Sequence, residues 1–236
     1  MLTPSTTPPF SFREGAMFLI DKPQDWTSFD VVNKLRWKIR KHLGVKKFKV
    51  GHAGTLDPMA TGLLNLCVGQ WTKELKQLEG LDKSYTGTIK LGATTPSYDA
   101  ETEEDGSFPT DHLTLEALRR AAERFTGDIE QIPPMYSAVK VDGQPLYKRA
   151  RRGEHIEVQA RPVTVHRFAL DNFTGTSVDF EISCSKGTYI RTLANDLAEA
   201  AGSGGYLTAL RRTSVGPYHV RDAWQLDALL ETIEKL

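Results

Sequence analysis

Hydrophobic and polar positions change period several times along the chain, and each change marks an element. Residues 17–21 (MFLID) form a short apolar run of strand character. From residue 28 to about 43 the residues Phe29, Val32, Leu35, Ile39 and Leu43 recur at helical spacing. Ser28 stands where a cap is needed and Gly44 where the helix must stop, so the pattern predicts an amphipathic helix. Its opposite face carries Lys34, Lys38 and Lys41 and leads to Lys46, Lys47 and Lys49. Residues 63–68 predict a buried strand, 72–78 a short helix ending at Gly80, and 84–94 a half-exposed strand. Residues 97–109 read as an acidic, turn-rich loop, and 115–125 as a helix through Leu115, Leu118, Ala122 and Phe125. Residues 132–152 are irregular and Pro-punctuated, with basic residues interleaved with Tyr136 and Tyr147. Residues 163–170 and 178–185 predict strands. Ile190, Leu193, Ala194, Leu197, Ala198 and Ala201 predict a helix, broken at residues 202–205, and a last helix covers about 224–235.

Strands and helices intermix without a strict βαβ rhythm. This predicts an α+β fold with a mixed, largely antiparallel sheet flanked by helices and loops. No repeat and no shift of composition marks a second compact domain, so residues 16–236 read as one domain behind a Pro-, Ser- and Thr-rich tail, residues 1–15. That tail lacks the basic start and apolar stretch of a signal peptide. No apolar run approaches the roughly 20 residues a spanning helix requires, which argues against a membrane. Cys67 and Cys184 both sit in apolar, strand-like segments and read as buried reduced thiols; no Cys/His spacing suggests zinc. A cytoplasmic protein follows.

Charge adds something the total conceals. The 236 residues sum to a formal net charge of zero, which by itself speaks against a nucleic-acid partner. Yet residues 31–56 hold eight Lys/Arg and no Asp/Glu, whereas residues 91–118 hold seven Asp/Glu and no Lys/Arg. Residues 140–152 add five basic residues against one Asp. A neutral chain sorted in this way can still present basic faces to phosphates, although solvated faces are the commoner fate of such runs.

The most unusual stretch is residues 51–62, GHAGTLDPMATG. Three Gly, one Pro and two Thr predict a tight loop with His52 and Asp57 at its apex, leading into the apolar run 63–68. Asp57 precedes Pro58 and is held away from the helical region, so its carboxylate has a defined direction. On local pattern alone this is equally a turn with Asp as its cap. No phosphate-binding glycine pattern is present.

GHAGTLDPMATGLL resembles the signature of the TruB-type tRNA pseudouridine-55 synthases. Further blocks follow in the family's order: Lys83-Ser84-Tyr85, Ile132-Pro133-Pro134 with Ser137-Ala138-Val139-Lys140, Lys186-Gly187-Thr188-Tyr189-Ile190-Arg191, and Leu207 with Leu210-Arg211-Arg212. The resemblance runs from about Met17 to about Val220. It implies a pseudouridine synthase fold and the isomerisation of a T-loop uridine of tRNA to pseudouridine, with no metal or cofactor. Asp57 matches the family's catalytic aspartate. Uracil must leave C1′, rotate and return through C5, and a carboxylate can stabilise the detached state. Attack at C1′, attack at C6 and elimination to a glycal all stay open. Arg191 matches the arginine set against that aspartate, and Tyr85 the tyrosine that stacks on the flipped uracil. Tyr189 and Leu210 match residues lining the uracil pocket, and Lys73 a basic residue near the active site. His52 matches the histidine that fills the gap left by the extruded base, offsetting part of an unstacking cost of a few kcal/mol. Residues 133–152 match an insertion that closes over the RNA, with Lys140, Arg149 and Arg152 among its phosphate-gripping side chains.

Many relatives continue into a small C-terminal RNA-binding domain of the PUA type, and here the chain stops at Leu236. The expectation is a monomer that reads the T-arm and T-loop of tRNA through its basic patches. The same shortness argues against a relative working through a guide RNA. A non-catalytic RNA-binding protein on the same fold is the other alternative, against which the pair Asp57 and Arg191 speaks.

Overall fold

A computed structural model of the chain describes every residue except Thr7, Pro9 and His155. Its elements in order are β1 (Ala16–Lys22), α1 (Ser28–Leu43), β2 (Val50–Ala53), β3 (Thr61–Val68), α2 (Leu75–Glu79), β4 (Lys83–Leu91), β5 (Ala93–Thr94) and β6 (Gly106–Ser107). Then come α3 (Leu115–Glu123), β7 (Gly127–Gln131), β8 (Lys140–Val141), β9 (Gln144–Pro145), α4 (Leu146–Ala150), β10 (Arg161–Asp171) and β11 (Ser177–Cys184). The chain ends with α5 (Ile190–Ala200), β12 (Gly205–Val215), β13 (Tyr218–His219), β14 (Trp224–Gln225) and α6 (Leu226–Glu234). A 3-10 turn, Gly69–Glu74, joins β3 to α2. Two compact units emerge, one of Met1–Tyr85 with Leu210–Leu236, the other of Thr86–Ala209.

In the first unit the strand order is β14-β1-β3-β12, with β2 on β3 and β13 on β12. β1 runs antiparallel to β3 from Ala16↔Val68 to Lys22↔Gly62, and β14 and β12 add parallel pairings to β1 and β3. β1 has an apolar cluster on each side, which explains its unbroken run of apolar residues. Phe18 and Ile20 pack with Val31, Val32, Leu35 and Ile39 of α1 and with Leu229 and Ile233 of α6. Met17 and Leu19 pack with Leu63, Cys67, Leu78 and Val215. Each such side chain contributes roughly 1.5–3 kcal/mol by its burial. Phe10 and Phe12, from the segment read as a tail, are buried in the first of these clusters, their rings edge-on to each other and beside Phe18.

Helix α1 differs from its expected form at its start. Its N-cap is Thr27, whose hydroxyl accepts from the Asp30 N–H at 3.0 Å while the Asp30 carboxylate accepts from the Thr27 N–H at 3.0 Å. This capping box leaves Ser28 for another task. Phe29, placed on the apolar face by its spacing, is 60% exposed, because the buried stripe runs through Ser28, Val31, Val32, Leu35 and Ile39. Gly44 ends the helix in the left-handed region, as its position predicts.

The second unit is ordered β4-β11-β10-β7. β10 pairs antiparallel with both β11 and β7, with a bulge between Val165 and Arg167. Leu118 and Ala122 of α3, Leu193 and Leu197 of α5, and Val165, Leu170, Val178 and Ile182 of the strands are buried here. The fold is α+β with mostly antiparallel pairing, as the intermixed pattern predicts. β12 is the one long element the pattern did not declare.

Candidate active site

The segment 51–62 is a β-hairpin rather than a free loop. β2 pairs antiparallel with β3, so His52 sits in a strand opposite Leu66, and only residues 54–60 form the connection. Asp57 closes a tight turn, its carbonyl accepting from the Ala60 N–H at 3.1 Å with Pro58 at the second position. Proline's fixed φ suits that position and braces the turn. Gly62, at φ +103°, lies so close to the Arg212 backbone that a Cβ there would meet its carbonyl oxygen at 2.2 Å. No other residue allows β12 to lie against β3 at that point.

Three buried side chains hold the turn by its backbone. The Ser28 hydroxyl donates to the Leu56 carbonyl at 3.1 Å and accepts from the Leu56 N–H at 2.8 Å. Arg212, 1% exposed, donates to the carbonyls of Leu63 at 2.7 Å, Gly54 at 3.1 Å and Thr55 at 3.4 Å. The Lys22 ammonium, fully buried, donates to Trp26 at 2.6 Å, Pro23 at 2.9 Å and Pro58 at 3.2 Å. Two buried cations so near a carboxylate turn make this corner of the first unit strongly favourable to negative charge. Sequence reasoning missed all three as supports. The available signals were an apolar strand that ends in Lys-Pro and an arginine pair inside an otherwise apolar run.

Burial pulls the Lys22 pKa down to about 8, opposed by the Asp57 and Asp25 carboxylates and reinforced by Arg212. Its folded value is below the 10.5 of an open lysine, so between pH 8 and pH 10.5 the unfolded chain binds more protons. Stability from this group therefore rises with pH through that window, while below it the full cost of burying the ammonium, on the order of 3 kcal/mol, is present. Lys22→Met lacks this titration. The difference in unfolding free energy between wild type and Lys22→Met, followed by urea denaturation, is expected to move in favour of wild type as pH rises from 8 to 10.5. A difference independent of pH would show that Lys22 does not lose its proton there.

The other first-unit candidates lie at varied depths. His52 is half-buried, and burial followed by the Arg212 guanidinium pushes its pKa below the ordinary value, which favours the neutral ring. Tyr85 and Leu210 are buried on β4 and β12. Lys73 is exposed on the 3-10 turn and lines a cleft of about 700 Å³ with Trp71, Gln77 and Tyr218.

In the second unit Tyr189 and Arg191 stand together at the start of α5. The Tyr189 backbone is clamped by buried Gln131, which donates to its carbonyl at 3.1 Å and accepts from its N–H at 2.7 Å. Arg191, 4% exposed, donates to the carbonyls of Ser97 at 2.9 Å and Tyr136 at 2.8 Å, and its Nε lies 3.4 Å from the Asp99 carboxylate. A cation in the first turn of a helix is unfavourable to the helix dipole, and a fully buried anion offsets that. Asp99 comes from the segment read as a solvated acidic loop. Instead it is buried, its carboxylate accepting from the Ser97 hydroxyl and the Glu101 N–H at 3.0 Å. Lys140 is exposed on β8. Arg149 and Arg152 already hold partners: Arg149 donates to the Val141 carbonyl at 3.2 Å, and Arg152 pairs with Glu154 at 2.7 Å. Among the described residues, no group of three or more His, Cys, Asp or Glu side chains is placed to hold a metal.

The family model for the TruB family pseudouridylate synthase N-terminal domain matches residues 40–190, and that for the tRNA pseudouridylate synthase B C-terminal domain matches residues 191–235. The chain belongs to the TruB family of pseudouridylate synthases. It is 48% identical over 227 residues to a tRNA pseudouridine synthase B of Flavobacterium johnsoniae, covering 96% of this chain and 99% of that one. It is 47% identical over 225 residues to one of Phocaeicola vulgatus, covering 95% and 96%. Among solved structures, a chain of a Cbf5-Nop10-Gar1 complex superposes with a TM-score of 0.69 at 27% identity, over 93% of this chain. This chain spans about half the length of that one, 54%. A TruB enzyme isomerises uridine to pseudouridine in tRNA, and the fold described above is that of the pseudouridine synthases.

Proposed function

We propose that this TruB enzyme acts on uridine 55 in the T-loop of tRNA, with Asp57 as its nucleophile. The observation that carries the reading is the Asp57 turn: a Pro-braced carboxylate whose backbone is gripped by buried Ser28, Arg212 and Lys22. Such over-determination holds a reacting group in one direction, which is where positioning contributes most to rate. In the isomerisation the N1–C1′ bond breaks, the base turns, C5 bonds to C1′, and the C5 hydrogen is lost as N1 gains a proton. A carboxylate fixed in place serves each of the open routes through the detached state. By the family resemblance Tyr85 is the residue that stacks on the flipped base, Arg191 is the arginine of the catalytic group, and Tyr189 and Leu210 are each assigned to contact the uracil. His52 is suited to fill the gap, since a neutral planar ring enters a base stack at lower desolvation cost than a charged one. Lys73 serves as a basic residue near the active site, and Lys140, Arg149 and Arg152 are the phosphate-gripping side chains of the insertion.

In this reading the enzyme works as a cytoplasmic monomer on tRNA alone, without a guide RNA. No helix of the described residues is long and apolar enough to cross a membrane. The test is to incubate the purified chain with an unmodified tRNA transcript and no other RNA, then map pseudouridine by chemical modification and primer extension. A single new stop at position 55 is expected. Modification elsewhere, or none until a second RNA is added, overturns the assignment.

A further inference from the structure

Helix α1 turns a second stripe outward. Asp30, Asn33, Lys34, Trp37 and Lys41 follow one another at helical spacing on the side away from the core, with Trp26 just before them. With Asp25, all of these except Lys41 line an open groove of about 460 Å³, bounded by Trp26 at one end and Trp37 at the other. Trp37 is 55% exposed, and the Lys41 ammonium lies 5.6 Å over its ring. The groove is tied to the catalytic turn, because the Asp25 N–H donates to the Pro58 carbonyl at 2.9 Å and Lys22 links the Trp26 and Pro58 carbonyls. It therefore begins beside the residue that follows Asp57.

We propose that this stripe is a second contact for the tRNA substrate, with one base stacked on the Trp37 indole and neighbouring phosphates on Lys34 and Lys41. The proposal rests on the tRNA activity of the family and is independent of which uridine reacts. Aromatic rings interleaved with lysines, in a segment of eight basic and no acidic residues from 31 to 56, complement a nucleic-acid backbone. Lysine is depleted at protein interfaces, so the same composition fits a protein partner poorly. The two carboxylates set the direction of the bound strand. Asp30 is committed to the Thr27 cap, and both it and Asp25 repel a phosphate at the Trp26 end. That end accepts a base edge that donates N–H, and the phosphates run toward Lys41.

The test compares wild type with Trp37→Ala, Trp37→Phe, Lys34→Gln and Lys41→Gln on full-length unmodified tRNA. All three positions are exposed to solvent, so folding is retained and circular dichroism checks it. Trp37→Ala is expected to raise the Kd and KM for tRNA roughly five-fold or more with kcat unchanged, the loss of one stacked base. Trp37→Phe, which keeps a ring, recovers most of that affinity. Each lysine variant lowers the slope of log K against log salt by about one, the loss of one phosphate contact. Unchanged tRNA affinity in Trp37→Ala, or unchanged salt slopes in both lysine variants, overturns the proposal and leaves the stripe to another kind of partner. The outcome is separable from the assignment of uridine 55. An enzyme that modified a different uridine would fail the mapping experiment and still show the Trp37 effect.

Discussion

Asp57→Asn is expected to abolish pseudouridine formation while tRNA still binds with nearly wild-type affinity. The amide is isosteric, so the turn closed by Asp57 and Ala60 and braced by Pro58 keeps its shape, and the bonds of Ser28, Lys22 and Arg212 go to backbone atoms the substitution leaves in place. The substitution removes the charge and the nucleophilic oxygen. Removing a nucleophile from an assembled site costs on the order of 10⁴-fold or more in kcat. Tritium release from tRNA carrying 5-³H-uridine measures this directly, and filter binding measures the affinity. Turnover near that of wild type would end the nucleophile assignment. A matching loss of binding would mean that the variant had disturbed the turn instead.

Arg191→Ala has the second large effect, and it acts on two quantities at once. Arg191 joins the Ser97 and Tyr136 carbonyls and lies 3.4 Å from the fully buried Asp99 carboxylate. Truncation removes the guanidinium beside that carboxylate, and breaking a buried pair in this way costs about 3–5 kcal/mol. For a domain of marginal stability this is a large fraction of the whole. Turnover should fall more than affinity, because the side chain is assigned to the catalytic group and not to the phosphate-binding surface. Asp99→Asn should recover part of the stability lost in Arg191→Ala when the two are combined, since the uncompensated charge is then gone. Urea denaturation of the two single variants and the double variant reads the coupling, and tritium release reads turnover. Strictly additive losses would show that Arg191 and Asp99 do not act as a pair, and a loss confined to affinity would remove Arg191 from the chemistry.

Both variants probe features that differ in how plainly the sequence displayed them. Asp57 was visible because a Gly-, Thr- and Pro-rich run around a single carboxylate is rare and matches a known signature. Arg191 was visible through the same resemblance, but its buried partner was not. Asp99 lies in a run of acids that solvent usually claims, yet the bonds from Ser97 and Glu101 and the proximity of Arg191 help to draw it inside. Lys22 closes an apolar strand, and nothing in the local pattern marks it as buried. It is buried because the carbonyls of Pro23, Trp26 and Pro58 converge on its ammonium. Ser28 read as a helix cap and serves as a fastener for Leu56, since Thr27 and Asp30 had already formed the cap between them.

By itself the sequence determined the class of fold, the helices with strong 3.6-residue periodicity, the sorted charge and the loop that carries Asp57. These are local properties, set by backbone geometry and by the spacing of side chains within one element. Only the tertiary structure decided that residues 205–215 form a strand, because their alternation is broken and the Arg211 and Arg212 register on Thr61 and Gly62 supplies what the pattern lacks. It alone decided that Phe29 faces water, that Phe10 and Phe12 enter the core, and that Lys22, Asp99, Arg191 and Arg212 are buried. Each of these depends on partners distant in the chain. A buried charge is tolerated only where carbonyls or an opposite charge meet it, and no local period records where that meeting occurs.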